Sequence, residues 1–456
     1  MLTLGIDSST QGVKAVAWDV GAQKVVFSAS VNYGRDLPQY GSPDGFLPND
    51  DVLVRHADPR MWVEGLELVL KRLQASGCPM DQIAAIGGDA QQHASVYLES
   101  LNPLVFSRNT SPIWMDSSTG AEVAALDAKF GARIQADTGS PAIERFAGPQ
   151  IMKFAKEDQE GYAKTKRIHL LSSFLASYLV GEDMPIDSGD GAGMNLLNLK
   201  TGDWDVEICE FTAPGLLAKL PPIKQSNNLK SNNKPLLARF AKYGLKPGIP
   251  VVPFTGDNPA SLVGCFAEKP GTAVISLGTS DVFFAAMDSF HTDPDGYGHV
   301  FGNPMGGFMS LSCFKNGSRA RDRVRRELGV DWGFFDEGAY ASASTRDASG
   351  TVKRAFPFFE SEITPKHAAT GIEANFDWAN ADAATKVRAV VEGQIANMYE
   401  RTRWIGDFDE IKVTGGASRS KGIRETIARI FGAKVTTLDV TDSAAVGGAR
   451  LAARVV

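Results

Sequence analysis

The stretch "LTLGIDSSTQGVKAVAWDV", residues 2–20, decides how the whole chain is read. Leu2–Ile6 is an apolar run and Val13–Trp18 a second one, each of strand length. Between them lie Asp7, Ser8, Ser9, Thr10, Gln11 and Gly12. A tight turn of such residues leaves backbone N–H groups free to surround an anion, and its hydroxyls add donors. The spacing is neither that of a P-loop nor that of a dinucleotide fingerprint. Asp7, at the end of the first strand, is an oxygen ligand suited to Mg²⁺, directly or through water. The plainer reading is a turn-forming aspartate that bonds its own backbone.

The same plan returns in "VISLGTSDVFFAA", residues 274–286, as strand, glycine–hydroxyl turn and strand. Two such hairpins near the starts of two halves imply an internal duplication in which both face one cleft. Thr10, Gln11, Gly278, Thr279 and Ser280 are then the candidates for phosphate contacts. Outward from the hairpins, Lys24–Val31 reads as a third strand. Pro59–Ala75 reads as a helix with Trp62, Leu66, Val69, Leu70 and Leu73 at helical spacing. "IAAIGGDAQQH" (83–93) and "GIPVVPFTGDNPAS" (248–261) read as strands ending in polar turns. "IKVTGGASRS" (411–420) reads as a strand meeting a helix through two glycines, a corner able to seat an adenine, and "DSAAVGGARLAA" (442–453) as a small-residue helix. Strand–helix alternation predicts an α/β fold with a partly parallel sheet, which binds ligands where its strands end. We divide the chain into residues 1–265 and 266–456.

The totals narrow the classes. A chain of 456 residues, 43% hydrophobic and 22% charged, is long enough for two or three ordinary globular domains. A net charge of −6 argues against a mainly electrostatic nucleic-acid binder. The basic run Arg319–Arg326 reads as the solvated face of a helix, with a local basic patch as the alternative. Cys78, Cys209, Cys265 and Cys313 are far apart, so zinc and disulfide frameworks are not expected and a reducing, cytoplasmic location is. The chain starts directly on a strand, without the pattern of a signal peptide. Ile168–Val180 is too short to cross a bilayer and reads as a buried helix. Pro221–Pro235 is the most loop-like segment.

Taken in order, "GIDSSTQGVKAVAWD" (5–19), "FTGDNPAS" (254–261), "SLGTSD" (276–281) and "VTGGASRS" (413–420) resemble the motifs of the FGGY carbohydrate kinases. That family lies within the actin-like ATPase superfamily. The resemblance covers nearly the whole chain and implies two ribonuclease-H-like domains with the active site in the cleft between them. "GGDAQQHASVYL", "SPIWMDSST", "ERFAGPQI", "IDSGDGAGMNLLNL" and "CFKNGSRARDRVR" are more similar to the family's animal-type branch than to its common bacterial type. The implied reaction moves the γ-phosphoryl group of ATP, with Mg²⁺, to O5 of D-xylulose, giving D-xylulose 5-phosphate and ADP.

By this resemblance Asp257 is the catalytic base, and Asn258, His93 and Arg145 contact the sugar along with it. Trp332 lies against the nucleotide. Gly415, Gly416 and Ala417 form the adenosine corner, and Ser420 stands where relatives often carry asparagine. Asp187, Asp190 and Asn195 fall near the sugar pocket, among glycines that allow close backbone approach. Plainer readings exist: Asp257 as a helix N-cap, His93 as a satisfied core histidine, Arg145 as a surface ion-pair partner beside Glu144. Two halves closing over the substrate would exclude water from the reaction. Alternatives are a kinase for ribulose, gluconate or glycerol, and an actin- or chaperone-like ATPase. Expected partners are a small sugar and ATP, without nucleic acid or membrane, and with a homodimer left open.

Overall fold

Leu2–Ser8 (β1) and Gly12–Asp19 (β2) form the opening hairpin, pairing antiparallel with Asp7 opposite Lys14. Lys24–Asn32 (β3) continues the sheet antiparallel to β2. The computed structural model describes every residue except 225–228, 343–345, 347–348 and 440–441. Pro59–Ala75 (α1) buries Trp62, Leu66, Val69, Leu70 and Leu73. Its start is set by Asp58, whose side chain accepts from the Arg60 N–H, and by Pro59 in the first turn, where a missing N–H costs nothing. Ile83–Ala90 (β4) lies parallel to β1 on the side away from β2.

Three expectations need correction here. Ile168–Val180 is not one helix: Arg167–Leu170 is a strand antiparallel to Ser95–Ser100, and only Leu171–Val180 (α2) is helical. The strand before Asp257 is broken into Pro250–Val251 (β5) and Thr255–Gly256 (β6), both parallel to β4. Pro253, between the two pieces, brings no N–H to the ladder, so pairing does not run through it. The polar turn after it is itself the start of a helix, Asp257–Gly264 (α3). Within 221–235, Ile223–Lys224 pairs with Ile186–Asp187, Leu229–Asn232 is a helical turn and Lys234–Pro235 is an edge strand beside β5. Residues 225–228 of that segment lie outside the described residues.

The second half repeats the plan. Thr272–Leu277 (β7) and Asp281–Met287 (β8) form a hairpin, and His299–Gly302 (β9) and Phe308–Phe314 (β10) extend it antiparallel. Two helices follow, Ser318–Glu327 (α4) and Ala383–Thr402 (α5). Glu410–Thr414 (β11) then lies parallel to β7. Lys421–Phe431 (α6), Lys434–Thr437 (β12) and Ser443–Ala452 (α7) complete the chain. The sheet orders are β5–β4–β1–β2–β3 and β12–β11–β7–β8–β10–β9. In both, a central hairpin has antiparallel strands on one side and parallel strands on the other, as duplication requires.

The division at 265/266 separates the two sheets but not the packing. Helix α7 lies on the first sheet: a Cβ on Gly5 would meet Ala445 O at 1.9 Å, and one on Gly87 would meet Gly448 O at 2.2 Å. Helix α3 reaches toward β8, and its Leu262 joins the apolar cluster containing Val274 and Phe284. The two helices cross at glycines, Gly264 against Ser443 O (1.8 Å from an added Cβ) and Gly447 against Ala260 O (1.9 Å). Each half therefore lends its last helix to the joint.

The basic run is also not a uniformly solvated face. Arg321 is buried and grips Asp281, while Arg323 pairs with Glu327, and Arg325 and Arg326 pair with Asp322. All four cysteines are free thiols. Among the described residues no helix is long and apolar enough to cross a membrane.

Candidate active site

Strands β1, β4 and β6 end side by side, which brings three carboxylates to one rim. Asp7 and Asp89 are direct partners in the parallel register of β1 and β4, and Thr255 is the partner of Asp89 from β6. Two residues beyond Thr255, Asp257 opens α3. Both oxygens of Asp7 accept from the Ser9 hydroxyl at 2.9 Å, a side-chain bond rather than the backbone bond of the plainer reading. Burial nevertheless raises its pKa.

Asp257 is the first residue of α3 and not its cap, which is Gly256. Its Oδ1 accepts from the Asn258 backbone N–H at 2.9 Å and the Asn258 side-chain amide at 3.0 Å. Burial first, and the charge of Asp7 second, push its carboxyl up to about 7. That is where a general base can hold and release a proton at neutral pH.

Sequence reasoning passed over Asp89. It is fully buried, and no protein donor reaches either of its carboxylate oxygens. Burial, then the charges of Asp7 and Asp257, hold its pKa far above the usual range, and its carboxyl is within hydrogen-bond reach of Asp7. The signal available was an aspartate closing the otherwise apolar, glycine-rich strand 83–90, where nothing but a ligand or a proton would make it tolerable.

On the side predicted to take the sugar, His93 follows β4 with φ of 71°, a left-handed conformation that costs a non-glycine residue about 1–3 kcal/mol. Its Nδ1 donates to Gly193 O at 2.9 Å and its ring stacks on Phe146 at 4.3 Å. Burial pushes the imidazole well below its ordinary pKa, so it is neutral and Nε2 is an acceptor with no partner among the described residues. A Cβ at position 193 would lie 2.6 Å from the His93 ring, which is the close approach that the glycines of "SGDGAGMN" permit.

Arg145 makes no ion pair with Glu144. Its guanidinium has no hydrogen-bonded or carboxylate partner among the described residues and lies 5.9 Å from the Phe146 ring centre. Its charge is felt at two groups of the second half, Cys313 and His299. The His299 ring lies 5.9 Å from the Phe146 ring on which His93 stacks, so the second half approaches this group. Sequence reasoning passed over His299, whereas it singled out His93.

Asn258 ties Asp257 to this side, donating to Gln92 Oε1 at 3.0 Å. Asp187 accepts from Thr255 Oγ1 at 2.6 Å and from the Gly189 N–H. Asp190 accepts from Ser172, and its Oδ1 is buried without a donor. Asn195 instead braces the loop, its amide donating to Thr138, Ser140 and Pro141.

On the nucleotide side, the Thr10 hydroxyl accepts the Trp114 indole N–H at 2.8 Å and lies 3.4 Å from Gln91 Oε1, while Gln11 is exposed. Gly278, Thr279 and Ser280 form the second turn, and Gly278 O accepts from the Ser318 N–H at the start of α4. Gly415, with φ of 89°, packs against the end of β7, where a Cβ would meet Leu277 O at 2.5 Å. This contact sets the Gly415–Gly416 corner beside the Gly278–Ser280 turn. Gly416 and Ala417 begin a short 3-10 turn that separates β11 from α6. Ser420 is buried and caps α6, its hydroxyl accepting from the Ile423 N–H. Trp332 is 44% exposed, with the Arg325 guanidinium 5.0 Å over its ring.

Among the described residues no three histidine, cysteine, aspartate or glutamate side chains are grouped to hold a metal. Mg²⁺ is usually bound through one or two carboxylates plus substrate phosphates and water, and the Asp7–Asp89 pair fits that pattern. The orphaned oxygens of Asp89 are the observation that favours the fit.

Models of the N-terminal and C-terminal domains of the FGGY family of carbohydrate kinases match residues 2–264 and 273–456. The xylulose kinase of Rattus norvegicus is 37% identical over 98% of this chain and 87% of the rat protein. Xylulose kinase 2 of Arabidopsis thaliana is 34% identical over 99% of this chain and 87% of its own. In fold, the crystal structure of xylulose kinase from Bifidobacterium adolescentis matches with a TM-score of 0.82 at 23% identity, covering 100% of this chain and 92% of that one.

Proposed function

The chain belongs to the FGGY family of carbohydrate kinases, and from that membership we propose that it phosphorylates D-xylulose at O5, converting ATP to ADP. The observation that carries the chemistry is Asp257. Its carboxyl sits at the rim of the sheet, held by Asn258, with a pKa of about 7. Phosphoryl transfer passes through a loose transition state, so the protein mainly positions groups and balances charge.

In this reading Nε2 of His93 accepts from a sugar hydroxyl, Arg145 donates to another, Asn258 offers its Oδ1 as an acceptor because both its amide protons are engaged, and Asp257 takes the proton from O5. Asp7 holds Mg²⁺, which when bound supplies positive charge to the phosphate oxygens. The turns at Thr10–Gln11 and Gly278–Ser280 offer backbone and hydroxyl donors to the phosphates. Gly415, Gly416, Ala417 and the exposed face of Trp332 receive the adenosine, whereas the side chain of Ser420 is committed to capping α6. Residues 1–265 bring the sugar groups and the base, and residues 266–456 bring the nucleotide corner. The His299–Arg145 proximity adds a contribution of the second part to the sugar side.

A panel of ketoses, aldoses and polyols with coupled ADP detection tests the substrate. Xylulose is expected to give the highest kcat/KM, and a higher value for ribulose, gluconate or glycerol would overturn that assignment. ATP turnover indifferent to every sugar would overturn the kinase chemistry itself.

A further inference from the structure

We propose that Asp89 and Asp7 together form a seat for a divalent cation that the protein can fill without nucleotide. The inference rests on the kinase reading of this cleft and assigns a residue, Asp89, that this reading does not use. Paired positions on neighbouring parallel strands project to the same face of a sheet, so the register of β1 and β4 puts these two carboxyls side by side. Asp89 is completely buried, and neither of its oxygens meets a protein donor.

The surroundings keep it there. Directly before it, a Cβ on Gly88 would lie 2.5 Å from the Phe254 ring, and one on Gly87 would lie 2.2 Å from Gly448 O of α7. The strand is clamped by those contacts, and Asp89 cannot turn out to water without parting β4 from α7. Lys14, whose charge is felt at Asp7, is engaged by Asp442 and does not serve as the missing partner.

A second orphan points to the same ligand. Nε2 of Gln91 is buried without an acceptor, two residues beyond Asp89 and beside Thr10. A cation carrying anionic oxygens would satisfy both groups: the metal the carboxylates of Asp7 and Asp89, a phosphate oxygen the amide of Gln91. The carboxylates are present before the phosphate is, so the cation alone has somewhere to bind.

The probe is Mn²⁺, titrated into the nucleotide-free protein and followed by the electron paramagnetic resonance signal of the free ion. The wild-type chain is expected to bind one Mn²⁺. Asp89→Asn should weaken that binding by about ten-fold or more, the scale on which even residues behind a metal's ligands act. Mn²⁺ should also raise the melting temperature of the wild type and leave that of Asp89→Asn little changed. If the asparagine variant does not fold, Asp89→Ser is used in the same titration.

Equal Mn²⁺ affinity in wild type and variant, or no binding by the wild type without nucleotide, overturns the proposal. In that case the two carboxyls share only a proton. Xylulose-dependent ADP formation by the wild type at saturating Mg²⁺ is measured separately, so the cation seat can fail while the kinase assignment stands, and the reverse.

Discussion

Arg321 grips Asp281 with both terminal nitrogens, at 2.6 and 2.8 Å, with both side chains buried. The same guanidinium also donates to Gln394 and Ser318, so one arginine on α4 fastens the strand after the Gly278–Ser280 turn to two helices. Removing it leaves a buried carboxylate without its counter-charge, which typically costs about 3–5 kcal/mol. Arg321→Ala is therefore expected to lower unfolding stability by that amount and to raise KM for ATP more than KM for xylulose. Denaturant titration and steady-state kinetics check the two parts.

Asp257→Asn keeps the shape of the side chain and removes its basicity. The expected loss in kcat is about 10²–10⁴-fold, the usual contribution of a general base. Nucleotide binding, followed by calorimetry with ADP, should survive. Turnover at the wild-type rate would mean that Asp257 only shapes the start of α3.

His299 provides a pH signature. Burial, with the charge of Arg145 added, lowers its folded-state pKa from 6.5 to about 3. Between those values the unfolded chain binds a proton that the folded chain refuses, so stability is lost as the pH falls through this window. His299→Gln removes that proton. Its unfolding free energy should fall less steeply than that of the wild type, by about 1.4 kcal/mol per pH unit below pH 6. Urea titrations at several pH values check the slope.

The crossing of α3 and α7 is built for contact without side chains. Gly447→Ala would place a Cβ 1.9 Å from Ala260 O, so the two helices must separate. Overpacking of this kind costs about 1–3 kcal/mol, read as a lower melting temperature.

If this joint also serves as the hinge, xylulose with a non-hydrolysable ATP analogue should reduce the radius of gyration measured by small-angle scattering. An unchanged radius would count against closure.

Much of the site was legible because its groups lie on short, local patterns. The turn Asp7–Gly12, its counterpart Gly278–Ser280 and the Gly415–Gly416 corner each announce themselves within ten residues, and their order identifies the family. Asp257 stood out as a carboxylate directly after an apolar strand. The plainer reading of Arg145 failed for a reason invisible in sequence: Glu144 is its neighbour in the chain but not its partner in space. Arg321 was hidden inside a run of arginines that looks uniform when written in a line, whereas a helix turns one of them inward and the rest to water.

By itself, then, the sequence determined two α/β halves, two glycine–hydroxyl turns and the residue types that phosphoryl transfer needs. Those are consequences of local periodicity, turn chemistry and motif order. Only the tertiary structure decided that Asp89 stands beside Asp7, that the charge of Arg145 is felt at His299 and that each half lends its last helix to the joint. These depend on strand register and on backbone-to-backbone approach between glycines hundreds of residues apart, and no local pattern encodes either.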